Sequence, residues 1–176
     1  MKKVTKILSM AIATVLAISV FSFSSSAAMS EAGQAHQREL TTEEVQAIST
    51  MFKADEYVKM YPDVKNVLGT DEAVLFDHFI HFGIWEQRQP SVAFNVDCYA
   101  SFNADLQEAY GDDIVSYYVH YANNNKSEAW RSTPTPSYAY WHSSTVYSVY
   151  DFVKGQKGPK AGAVPVLSVN YHPNYD

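Results

Sequence analysis

The sequence predicts an all-α protein: two tandem helical repeats behind an N-terminal capping helix, followed by an irregular or small-β aromatic C-terminal tail. Three observations carry this expectation. The segment FKADEYVKMYPDVKNVLGTDE at 52–72 is echoed 42 residues later by FNVDCYASFNADLQEAYGDDI at 94–114. Within each copy, apolar residues fall at helical spacing between helix-starting Asp and helix-stopping Gly. Beyond Arg131 both signals vanish. A period of this size is that of one supersecondary unit, which buries its apolar face against the next copy.

The chain opens with Lys2, Lys3 and Lys6, an apolar stretch over 7–23 diluted by Ser and Thr, and small residues ending Ser26-Ala27-Ala28. This is the pattern of an export signal, so 1–28 are expected to be a signal peptide cleaved after Ala28, with Ala27 the second choice. An uncleaved membrane anchor is the competing reading; the stretch lies near the lower limit for spanning a bilayer. Residues 29–40 lack an apolar period and are expected to be a flexible mature N-terminus.

Thr41 and Glu44 have the spacing of a capping box, in which each side chain bonds a free N–H of a helix start. Val45, Ile48, Met51 and Phe52 then form a stripe at helical spacing. This helix is expected to pack on the first repeat and shield its outer end, as the terminal cap of a repeat array must.

Inside the repeat domain (41–131, with units about 52–91 and 94–131) the punctuation predicts three helices per unit. Asp55 is the expected N-cap of the first, carrying Tyr57, Val58 and Met60. Pro62 suits the opening turn of the second. Gly69 stands where a left-handed C-cap is wanted. Asp71 is placed to cap the third, with Leu75, Phe79 and Phe82 on one side and Gly83 at its close. Asp97, Gly111 and Asp113 repeat these roles, and Asn123-Asn124-Asn125 replace the closing glycine. Identity matching implies a slip of three residues in the third helix, so that Phe79-Ile80-His81-Phe82 faces Tyr118-Val119-His120-Tyr121. On that register Phe52 and Phe94, Tyr57 and Tyr99, and Phe82 and Tyr121 share seam positions.

The tail, 132–176, has Pro134, Pro136, Pro159 and Pro165, and six of the thirteen tyrosines. Val146, Tyr147, Val149, Tyr150, Phe152 and Val153 are residues that strands favour. Being too short for its own core, the segment either packs on the helices, forms a small hairpin, or awaits a partner. The helical units are expected to fold without it.

Charge and cysteine content narrow the function classes. Without 1–28 the chain has 10 Lys+Arg against 19 Asp+Glu, a net charge of −9 with His neutral. That disfavours nucleic acid or anionic lipid, which need a cationic patch. Cys98 is the single cysteine, so no intramolecular disulfide can form; a small buried apolar role is expected, with a covalent dimer the alternative.

Candidate chemistry has a plain structural reading in each case. His78 and His81 stand near enough on a helix to chelate, but zinc wants three or four assembled ligands. The acidic steps Asp71-Glu72 and Asp112-Asp113 lack the alternating donor loop of a calcium site and fit helix capping. Cys98 with His120 has no context for an activated thiol. No catalytic residue, metal or cofactor is assigned. The candidate binding residues are Tyr138, Tyr140, Trp141, Tyr147 and Tyr150, read as exposed stacking groups of the tail.

The motif string Phe-x-x-Asp/Glu-x-Tyr, Tyr-Pro-Asp-Val, Gly-x-Asp, His-Phe-x-x-Phe-Gly and Glu-x-Arg resembles a tandem helical repeat of about 40 residues, the period class of small solenoid units. That repeat occurs in secreted and cell-surface proteins of Gram-positive bacteria, often beside cell-wall or carbohydrate-active domains. The first unit carries the fuller match (Phe52, Tyr57, Tyr61-Pro62-Asp63-Val64, His78-Phe79, Phe82-Gly83, Glu86-Gln87-Arg88), with Gln87 where glycine is usual. The resemblance implies location and architecture more than activity. The expectation is a secreted, non-catalytic binding or adhesion module that engages cell-wall glycan or a surface protein. The alternative is a structural or spacer protein of the surface with no specific ligand.

Overall fold

The protein is seen in a computed structural model that describes residues 29–131 and 133–166. The expected signal peptide, 1–28, lies outside them, as do residues 167–176 with Tyr171 and Tyr175. Nine α-helices are described: α1 (Glu31–His36), α2 (Thr42–Ser49), α3 (Ala54–Met60), α4 (Pro62–Leu68), α5 (Glu72–His78), α6 (Val96–Phe102), α7 (Ala104–Tyr110), α8 (Ile114–Asn124) and α9 (Pro136–Trp141). A π turn, Phe79–Gly83, extends α5, and a 3₁₀ turn spans Val149–Asp151. Among the described residues there is no strand, only the isolated antiparallel bridges Ser91 with Phe94 and Phe152 with Pro159. Of the strand-like residues at 146–153, Val146, Val149, Tyr150 and Phe152 are buried as side chains instead, and Val153 is exposed.

The two repeats are α3–α5 and α6–α8, and their shared seam is aromatic. In the first, Phe52 packs on Phe76 and Phe79 with centroids at 5.3 and 5.4 Å, and Tyr57 meets Phe79 edge-on at 5.6 Å. In the second, Phe94 packs on Tyr118 and Tyr121 at 5.1 and 4.6 Å, and Tyr99 meets Tyr121 edge-on at 5.5 Å. Phe52/Phe94 and Tyr57/Tyr99 thus share seam positions as expected, but the slip of three does not occur. Phe79, not Phe82, is the counterpart of Tyr121. The hydroxyl of Tyr57 bonds His78 Nδ1 at 3.2 Å and that of Tyr99 bonds His120 Nδ1 at 2.9 Å, so His78 and not His81 matches His120.

The helix ends follow the sequence in part. The Thr41–Glu44 capping box is formed, Asp71 accepts from the N–H groups of Ala73 and Val74, and Pro62 opens α4. Gly69 and Gly111 have φ of 78° and 58°, backbone that glycine adopts without penalty. Asp55 is no cap, because α3 begins one residue earlier with Lys53 at the N-cap. In the second repeat Asn95 caps α6 by accepting from Cys98 N–H, and Asp97 is freed for a buried role. Asp113 stands at the N-cap of α8 without accepting from a backbone N–H of the helix; its carboxylate takes the Ser116 hydroxyl. Gly83 does not stop a helix by left-handed geometry. A Cβ there would stand 2.7 Å from the Tyr57 hydroxyl and from the Phe79 ring, so it is small for packing. Asn125 ends α8 at φ −56°, right-handed, so the asparagines do not close it by the expected route.

Two further expectations are corrected by packing. Residues 29–40 are not a featureless lead-in: Ser30 caps α1, and Gly33 lies so close to the Trp85 carbonyl that a Cβ would stand 2.4 Å from it. The capping helix α2 packs chiefly on α8 of the second repeat, not on the outer end of the first. Both elements join a core in which Ile48, Leu75, Ile84, Ile114 and Tyr118 are sealed from solvent. The tail belongs to that core as well. Val149, Tyr150 and Phe152 are buried in it, Gly155 N–H donates to the Glu108 carbonyl at 2.8 Å, and Gly111 lets Lys154 pass at van der Waals range.

Candidate functional site

Helix α9 begins at Thr135, whose hydroxyl accepts from Tyr138 N–H, with Pro136 pre-set for the first turn. Its inner side is Ala139, fully buried against Cys98, Val146 and Phe102. A helix this short that buries Pro136 and Ala139 turns its large residues outward. Tyr138, Tyr140 and Trp141 are 48%, 57% and 68% exposed. Tyr138 stacks on His142 at 4.0 Å with the planes 19° apart, and Tyr140 meets Trp141 edge-on at 5.5 Å. The helix is closed by Ser143 N–H to the Tyr140 carbonyl and Ser144 N–H to the Ala139 carbonyl, at 3.1 and 2.8 Å. That double closure needs a left-handed residue, usually glycine, and here Ser143 supplies it at φ 49°. The turn forms one wall of an open groove of about 260 Å³, which Tyr140, Ser143, Ser144, Thr145, Pro165 and Val166 line.

The other two candidate residues are elsewhere. Tyr147 is half-buried against the core, and its backbone N–H donates to the Ser101 hydroxyl at 2.9 Å. Tyr150 is no stacking platform: it is 6% exposed and donates its hydroxyl to the Trp85 carbonyl at 3.0 Å. Its ring lies 4.9 Å from His36 of α1, and burial raises its phenol well above the usual range. The structure also exposes an aromatic that sequence reasoning passed over. Trp130 is 75% exposed, with the Arg131 guanidinium 4.6 Å over its ring. Its signal was the place where the second repeat departs from the first, Trp130 standing in register with Arg88.

The charged residues at the seam are committed to structure. Arg88 is buried under the ring of Tyr61 at 4.7 Å, bonded to Asp63 and Glu86. Arg131 repeats the clamp with Asp105 and Glu128. Asp97, buried, accepts on one oxygen from Gln87 Nε2 at 2.6 Å and Val149 N–H at 2.8 Å, and desolvation pushes its carboxyl up to about 7. Gln87 holds a left-handed backbone, φ 57°, at the position where the resembling repeat has glycine, and its amide ties Asp97 to Ser148. Burial pushes the Cys98 thiol up to about 12, so it is neither an activated nucleophile nor accessible to a second chain. His78 is bonded to Tyr57 and His81 to the Asp77 carbonyl. Among the described residues no group of three or more His, Cys, Asp or Glu is placed to hold a metal ion.

The molecule is therefore a two-repeat helical protein that displays an aromatic outer helix beside an open groove. Its chain matches no family model, no curated protein and no solved structure.

Proposed function

We propose that the protein is a secreted, non-catalytic binding module that engages cell-wall glycan through α9 and the groove beside it. One observation carries this reading: a single short helix holds Tyr138, Tyr140 and Trp141 outward while Pro136 and Ala139 take its buried side. Exposed rings are costly unless something covers them, and clustered ones mark interaction surfaces. Their apolar faces suit the C–H face of a pyranose, and the hydroxyls of Ser143, Ser144 and Thr145 offer bonds to its polar rim. The motif resemblance and the basic, apolar and small-residue start of the chain support export to a Gram-positive surface. With a net charge of −9 beyond residue 28, attraction to a polyanion is not what brings it to its ligand.

The test is sedimentation of the exported protein with purified peptidoglycan, comparing native protein with Tyr140→Ala/Trp141→Ala. Native protein is expected in the pellet and the variant in the supernatant, with far-UV circular dichroism unchanged. Native protein left in the supernatant would favour the alternative, a surface spacer without a glycan ligand. Intact mass from culture medium checks the export step: the expected species begins at Met29.

A further inference from the structure

The two repeats are near-copies of one seam, so a place where they differ in filling is informative. In the first repeat the seam is closed by aromatic rings. Tyr61 lies under Arg88 and accepts the Gln89 N–H at 2.7 Å, and the Phe82 ring packs at 5.7 Å on His78. At the offset of 42 the second repeat has Asn103 for Tyr61 and Asn124 for Phe82. Two rings are replaced by two amides at one end of the seam. Where Asn124 stands for Phe82 there is a recess of about 150 Å³, lined by Tyr99, Tyr121, Asn124, Asn125, Glu128, Arg131 and Thr133.

The lining is held in place by bonds within the protein. Arg131 is fixed by Asp105 at 2.8 and 2.9 Å and reaches the Asn103 amide oxygen at 3.1 Å. Asn124 donates to the His120 carbonyl at 2.9 Å, and Tyr99 is bonded to His120. The Asn125 amide and the Thr133 hydroxyl, by contrast, hold no bond to a partner among the described residues. The recess thus combines aromatic walls, the ion pair of Arg131 with Glu128, and the neutral side chains of Asn125 and Thr133.

We propose that this recess is a second ligand site, separate from α9, that takes one neutral saccharide residue. A cation would meet Arg131, and an anion would meet Glu128; a neutral polyol avoids both while its C–H face packs on Tyr121. The proposal takes its ligand class from the glycan reading of α9 and its location from the difference between the repeats.

Nuclear magnetic resonance titration of the labelled protein with N-acetylglucosamine, glucose and glycerol tests it. Saturable shifts are expected at Asn124, Asn125 and the 120–131 backbone with a sugar but not with glycerol, and a Kd on the order of 1 mM fits a ligand of this size. Asn124→Phe restores the filler of the first repeat and should weaken binding at least tenfold. Asn125→Ala/Thr133→Ala, which removes only side chains without internal bonds, should weaken it several-fold if the larger ring disturbs the fold. The two sites separate cleanly: Tyr140→Ala/Trp141→Ala should keep the recess shifts, and Asn124→Phe should keep sedimentation with peptidoglycan. Absence of saturable shifts with either sugar, equal shifts with glycerol, or shifts unaltered in Asn124→Phe would overturn the proposal, whatever α9 does.

Discussion

Arg88 shows how one residue type serves two depths. Its side chain is 1% exposed, with partners Asp63 and Glu86 at 26% and 10%, whereas its counterpart Arg131, itself 7% exposed, pairs with Asp105 and Glu128 at 60% and 30%, so the difference lies in the carboxylates. Removing one partner of a buried ion pair leaves uncompensated charge, worth about 3–5 kcal/mol. A pair open to water is worth about 1 kcal/mol or less. Arg88→Ala is therefore expected to lose several times more stability than Arg131→Ala in urea titrations; equal losses would show that the two clamps have the same depth. Asp97 gives a second prediction at this scale. Its folded-state pKa, about 7, lies above the ordinary 3.8, so the stability it contributes is present below pH 4 and lost as pH rises through 7. His78, lowered to about 4 by burial and by Arg88, works the other way: its contribution is present above pH 6.5 and lost as pH falls through 4. The two oppose each other between pH 4 and 7. Asn in place of Asp97 keeps an oxygen for Gln87 and Val149 but cannot ionise. Relative to native protein, Asp97→Asn should gain stability as pH rises from 4 to 7, by on the order of 2–4 kcal/mol. A difference that stays constant across that range in calorimetry would remove Asp97 as the titrating group.

At the scale of elements, burial of the repeat seam sets the sharpest expectation. Phe94 is 1% exposed and touches the rings of Tyr99, Tyr118 and Tyr121, so Phe94→Ala should cost about 3–5 kcal/mol and lower Tm accordingly. An unchanged melting temperature would mean that the seam is not where the core lies. The helices, the Thr41 cap and the Phe52/Phe94 and Tyr57/Tyr99 pairs were legible in the sequence because each is a local or periodic signal. The register of the third helix was not. His78 and His81 stand three residues apart among aromatics, so a shift of three and no shift each match one histidine to His120. Only the Tyr hydroxyl to His Nδ1 bond, which spans 21 residues in each repeat, decides between them. The repeats do drift by one residue, but later: Glu86 corresponds to Glu128 at 42, and Arg88 to Arg131 at 43. The candidate site was legible to the same extent. Tyr138, Tyr140 and Trp141 are exposed because Pro136 and Ala139 take the buried side of α9. The burial of Tyr150 depends on the Trp85 carbonyl and His36, partners 65 and more residues away that no local pattern names.

At the scale of the whole molecule the tail behaves as a missing layer of the repeat array. Two tandem units leave one apolar face without a neighbour, and terminal faces of such arrays need a cover. Here α1, α2 and residues 146–160 together provide it. Val149 and Phe152 enter the core, Tyr150 reaches Trp85, and Gly158 N–H donates to Gln107 Oε1 at 2.8 Å. Asp97 and Ser101 hold the same segment by its backbone at Val149 and Tyr147. Each buried side chain of this size is worth about 1.5–3 kcal/mol, so three of them amount to much of the roughly 5–15 kcal/mol that keeps an ordinary domain folded. Deletion of 132–176 is therefore expected to broaden the thermal transition and lower the helical signal, against the sequence-based expectation that the helical units stand alone. The double variant Tyr150→Ala/Phe152→Ala separates burial from chain length. It should lose stability comparably while α9 and its groove remain attached. A truncated protein that melts cooperatively within a few degrees of the intact one would show that these contacts are idle. The consequence reaches function, because α9 hangs from this anchored segment on one side and from the end of the second repeat on the other. Loosening the 146–160 anchor should weaken sedimentation with peptidoglycan even though no aromatic residue of α9 has been touched. Binding that survives the double variant undiminished would instead place the anchoring of α9 in its Ala139–Cys98 contact alone.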